Sequence, residues 1–134
     1  MNNWKWGKRS LTRLTECRPL LITLMNRALK HSIHDITILC GHRGKIAQDE
    51  ALRKGTTRVA FPHSKHNKLP SHAVDIAPYP IDWSNHARFR DVAEVVKKCW
   101  SDMEDEGLTT GWKLTWGGDW RTLVDMPHFQ IDPE

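Results

Sequence analysis

Apolar positions change their period along this chain. Leu20, Leu21, Leu24, Met25 and Ala28 recur at three-to-four spacing after Pro19, which suits a helix's first turn, so a helix is expected from there to about His31–Ser32. A short helical stretch, 10–15, precedes it. Ile36–Cys40 is a β-branched run between Asp35 and Gly41 and reads as a strand. Residues 47–54 fit a helix closed by Gly55, and 56–71 read as loop. Ala73–Ala77 reads as a second strand that stops before Pro78, followed by an extended linker to Trp83. Phe89, Val92, Ala93, Val96, Cys99, Trp100 and Met103 form the stripe of a long helix over about 85–106, capped by Gly107. Leu114–Trp116 and Met126–Ile131 are the remaining strand candidates. Helices flanking a small sheet imply a compact α+β fold, and 134 residues suit one domain, 1–134.

Composition narrows the class. Apolar residues make up 39% and charged residues 27%, as in globular proteins, and no apolar run approaches the roughly 18 residues that span a bilayer. The first residues show no secretory signal, so synthesis in the cytoplasm is expected. Cys17, Cys40 and Cys99 are odd in number and far apart, and buried free thiols are expected rather than a disulfide framework. A net charge of +4 favours an anionic partner without naming it. Seven tryptophans are expected to be mostly core, with groove lining as the alternative.

The candidate chemistry lies in Ser64-Lys65-His66, in Asp75 nine residues after that histidine, and in Asp125-Met126-Pro127-His128. Zinc in a catalytic site takes three protein ligands and leaves one position open. His66, Asp75 and His128 can supply those ligands if their segments meet. Asp125, across a turn from His128, can serve as the base beside them. His63 and His72 are rival ligands; His72 and Asp75 differ by three positions, so on one strand they face opposite sides. With eight histidines present, accidental His–Asp pairs are the competing explanation.

Together, Ser64-Lys65-His66, Ala73-Val74-Asp75 and Asp125-x-x-His128 resemble the zinc peptidases of the D-alanyl-D-alanine carboxypeptidase and L-alanyl-D-glutamate endopeptidase group (peptidase family M15). Gly41-His42-Arg43, Asp75-Ile76-Ala77-Pro78-Tyr79 and Trp116-Gly117-Gly118-Asp119-Trp120 fit its bacteriophage endolysins. The resemblance runs from about Trp4 to Ile131. It implies an α+β fold shared with hedgehog-type signalling domains, with Zn2+ on an antiparallel sheet. It implies His66, Asp75 and His128 as ligands, Asp125 as catalytic base, and Arg43 as the group that holds substrate or polarises the scissile carbonyl. It implies Gln48 as support for that arginine in substrate binding, and Ser64 as the residue that orients the His66 loop. Two departures stand out: the His-to-Asp interval is nine residues where seven is common, and Gln130 stands where Glu is frequent after His-Phe.

The expected function is a phage-type, zinc-dependent hydrolase of peptidoglycan stem peptides, cutting L-alanyl-D-glutamate first and terminal D-alanine second. It is expected to be a monomer with no separate wall-binding domain, no nucleic-acid partner and no membrane insertion, reaching the wall after release from the host cytoplasm. A non-catalytic, basic, Trp-rich module for glycan or nucleic acid is the rival from another class. A His-rich metal-dependent nuclease leaves Asp-x-x-His and Ala-Val-Asp unexplained.

Overall fold

The computed structural model describes residues 2–134. Its elements run α1 (Lys8–Leu14), α2 (Pro19–His31), β1 (Asp35–Cys40), α3 (Lys45–Lys54), β2 (Ala73–Tyr79), α4 (His86–Asp105), β3 (Trp112–Trp116) and β4 (His128–Pro133), with 3-10 turns at Lys65–Asn67 and Gly117–Asp119. The strands form one antiparallel sheet in the order β1-β2-β4-β3.

Strand alternation divides the sheet into two chemistries. Ile36, Ile38, Val74, Ile76, Phe129 and Ile131 belong to the core, together with Leu21, Leu24 and Met25 of α2 and Val92, Val96 and Met103 of α4. The intervening positions Asp75, His128, Gln130 and Asp132 belong to the opposite face. Burial of the apolar face against α2 and α4 thus dictates which side chains the other face presents.

Pro19 opens α2, Asn85 caps α4 by accepting from the Arg88 backbone, and Gly55 and Gly107 close α3 and α4 at φ 78° and 77°. The edge strand β1 is covered by α1: the Ile38 amide donates to Ser10 Oγ at 2.9 Å, and Arg13 Nη1 donates to the Ile38 carbonyl at 3.0 Å.

Three expectations are corrected. β2 continues through Pro78 to Tyr79, because β4 pairs only with Ala73–Asp75. Beyond that point the proline's missing N–H falls on an unpaired side of the strand. β4 begins at His128, since Met126 and Pro127 form the turn before it. The tryptophans are divided: Trp100 and Trp116 are buried in the core and Trp6 and Trp112 pack against it, whereas Trp4 and Trp83 are 40% and 58% exposed, against the expectation for those two.

Candidate metal and catalytic site

Three backbone devices bring the motifs together. On β2 and β4, Asp75 and His128 are directly opposed cross-strand partners. His66 arrives from the 3-10 turn before β2. Ser64 and Asn67 form a reciprocal cap there, with Ser64 Oγ accepting from the His66 amide at 3.2 Å and Asn67 Oδ1 accepting from the Ser64 amide at 3.0 Å. The third device is the loop before β4, where the Asp125 amide donates to the Gly117 carbonyl at 3.0 Å and Trp116 Nε1 donates to the Met126 carbonyl at 2.7 Å. A Cβ at Gly117 would stand 2.3 Å from the Asp125 carbonyl oxygen, so only glycine lets the loop lie this close.

The outcome is a triangle of atoms. His66 Nε2 lies 3.2 Å from Asp75 Oδ1 and 3.3 Å from His128 Nδ1, and the third edge, His128 Nδ1 to Asp75 Oδ1, is 3.1 Å. The outer nitrogens have acceptors of their own: His66 Nδ1 donates to the Gly41 carbonyl at 2.7 Å, and His128 Nε2 meets Gln130 Oε1 at 2.8 Å. With neutral rings so arranged, three lone pairs converge with no hydrogen between them. Such a group needs a cation, either a proton on His66 or a metal ion. Ligands about 2.0–2.1 Å from a tetrahedral zinc stand about 3.3–3.4 Å apart, which the triangle matches within a few tenths of an ångström. The donor set therefore fits zinc.

Electrostatics favour positive charge at this centre. Burial opposes a charged His66 ring, but the hydrogen bond to Asp75 and the neighbouring Cys40 outweigh it and raise its pKa to about 10. Burial likewise disfavours the Asp75 carboxylate, yet the two histidines hold its pKa well below the ordinary carboxylate range. The Asp125 carboxyl goes the other way: burial first, then the charge of Asp75, raises its pKa. Its oxygen lies within 4.8 Å of donor atoms of Asp75 and His128.

Arg43 approaches from the far side. Its Nη2 is 3.7 Å from Asp75 Oδ2, and Nη1 donates to Gln48 Oε1 at 3.1 Å. Gln48 is fully buried and donates through Nε2 to the Val59 carbonyl at 2.6 Å, so it holds the arginine without reaching the cleft itself. Arg43, Ser64, His66, Asp75, Trp120, Asp125 and others line a cleft of about 550 Å3. Trp120 leans over the His128 ring with centroids 5.2 Å apart.

His63 lines the cleft but joins neither cluster of metal-binding groups among the described residues. His72 packs edge-on against Trp112 with centroids 5.4 Å apart, and burial, followed by nearby cations, lowers its pKa. Cys40 was expected as a buried thiol; Cys17 and Cys99 are buried, whereas Cys40 is half-buried with a sulfur within 4.8 Å of His66 and Asp75 donor atoms. A register shift between Ile38 and Cys40 puts this cysteine opposite Asp75. Strand alternation alone does not reveal a bulge. Asn67 could have been found, because Ser64-x-x-Asn67 has the spacing of a capping box.

Residues 2–131 match the model of a family described as phage L-alanyl-D-glutamate peptidase. The L-alanyl-D-glutamate peptidase of Escherichia phage T5 is 33% identical over 132 residues, spanning 96% of this chain and 90% of that one. Among solved structures, the L-Ala D-Glu endopeptidase ChiX of Serratia marcescens superposes with a TM-score of 0.78 at 28% identity, covering 97% of this chain and 92% of that one.

Proposed function

The chain belongs to the phage L-alanyl-D-glutamate peptidase family, and from that membership we propose that it is a zinc-dependent peptidoglycan endopeptidase hydrolysing the L-alanyl-D-glutamate bond of stem peptides. The observation that carries the metal half of this reading is the triangle of His66 Nε2, Asp75 Oδ1 and His128 Nδ1 with the Asp125 carboxyl beside it.

His66, Asp75 and His128 would hold the ion. When bound, zinc supplies a Lewis acid and brings the pKa of a water molecule toward neutrality. Asp125 takes a proton from the attacking water and delivers it to the leaving amine; its raised pKa suits a group that must both accept and return a proton. Arg43 directs its guanidinium at the carbonyl oxygen as negative charge develops there. Gln48 and the Arg43 amide, which donates to the His66 carbonyl at 2.8 Å, keep the arginine from swinging away. Ser64 sets the angle of the His66 turn through its cap. Catalysis resides in one domain, 1–134, acting as a monomer on the wall after release from the host cytoplasm. No helix among the described residues is long and apolar enough to cross a membrane.

The test combines metal content with digestion of purified peptidoglycan. Asp125→Ala is expected to keep zinc and lose at least 100-fold in turnover, on the order of what a positioned general base contributes. His128→Ala is expected to lose both. Mass spectrometry of the released fragments should find new D-glutamate amino termini; free D-alanine in their place would transfer the activity to carboxypeptidase chemistry. Full turnover in Asp125→Ala would remove that residue from the mechanism.

A further inference from the structure

We propose that Gln130 is a positioning residue that, clamped by Asp132 and Lys65, fixes the tautomer of His128 so that Nδ1 faces the metal. His128, Gln130 and Asp132 occupy alternate positions of β4, so their side chains share one face. Gln130 Oε1 is 2.8 Å from His128 Nε2, Gln130 Nε2 is 2.9 Å from Asp132 Oδ2, and Asp132 Oδ1 is 3.0 Å from Lys65 Nζ.

The direction of each bond follows from chemistry. An ionised carboxylate only accepts, so Asp132 must receive the amide's NH2 end. That leaves the amide oxygen toward His128, and an oxygen demands a hydrogen on Nε2. A neutral imidazole protonated at Nε2 has its lone pair on Nδ1, the atom in the triangle with His66 and Asp75. Were the amide reversed, its oxygen would confront the Asp132 carboxylate and its NH2 would confront the imidazole. Burial opposes the Asp132 carboxylate, but the hydrogen bonds from Gln130 and Lys65 outweigh it and favour its charged form. Lys65 also precedes His66, so this ion pair ties the turn carrying one proposed ligand to the strand carrying another.

The inference rests on the zinc reading above and is tested by metal affinity without substrate. Wild type, Gln130→Met and Gln130→Glu with Asp132→Asn are titrated with zinc against a chromogenic chelator, with circular dichroism as the check on folding. Gln130→Met keeps the shape and loses the acceptor; its zinc affinity should fall roughly 10- to 100-fold. Gln130→Glu, made together with Asp132→Asn so that no second carboxylate faces it, keeps an acceptor for Nε2–H and should recover most of that loss. Long-range 1H–15N spectra of zinc-loaded wild type should show His128 protonated at Nε2 and His66 at Nδ1. Undiminished affinity in Gln130→Met, equal losses in both variants, or a His128 ligated through Nε2 would each overturn the assignment while leaving the zinc site standing. A wild type that binds no zinc would remove both.

Discussion

Single atoms decide this site. A methyl group on Gly117 would meet the Asp125 carbonyl and both the Asp125 and His128 Cβ atoms. Gly117→Ala is therefore expected to cost about 1–3 kcal/mol of stability by overpacking and to lower turnover by displacing the base, as thermal melts and peptidoglycan digestion would register. Cys17 shows the same dependence on surroundings at a site without catalytic work. Burial first, then Glu16, pushes its pKa up from an ordinary value of 9.0 to about 12. The unfolded chain gives up this proton from about pH 9 while the folded chain keeps it, so stability should fall with rising pH between 9 and 12, by about 1.4 kcal/mol per pH unit from this group. Urea melts across that range would measure the slope, and Cys17→Ala should flatten it. His66, Asp75 and His128 were legible as candidate ligands because zinc accepts few residue types. Gln130, Asp132 and Lys65 were not, because amides and ion pairs are common on surfaces and acquire meaning only from what they touch.

Elements carry the next layer. Periodicity located α2 and α4 to within about one residue, since each buries a continuous apolar stripe, while composition and the Gly55 stop located α1 and α3 to within about two. Strands were less legible, because their limits depend on partners distant in sequence. β2 runs two residues past the expected stop, β3 starts two residues early at Trp112, and the bulge at the end of β1 left no mark in the alternation. That bulge brings Cys40 alongside Asp75, where a thiolate could compete for the ion. Its sulfur instead meets the Gly41 carbonyl at 3.7 Å, outside the triangle of His66, Asp75 and His128. Cys40→Ser is accordingly expected to retain zinc stoichiometry and at least half of wild-type turnover, measured by metal analysis and wall digestion.

On the scale of the whole molecule, the site exists only when distant segments are assembled, so a metal bound there would be linked to folding. A hundredfold excess of zinc over its dissociation constant would add about 2.7 kcal/mol, or roughly 10 °C in melting temperature for a chain of this size. Chelation followed by calorimetry should reveal that drop, and His128→Ala should be insensitive to it. The surplus of positive charge, +4, should assist adhesion to anionic envelopes, so raising salt is expected to weaken sedimentation with purified walls. The order of synthesis has a consequence of its own. β4 is translated last of the strands, yet it lies between β2 and β3, both made earlier. Until it threads into that gap, β3 has no neighbour, and Asp125 and His128 have nothing to face. A nascent chain is thus expected to be inert toward wall peptides until β4 has joined the sheet.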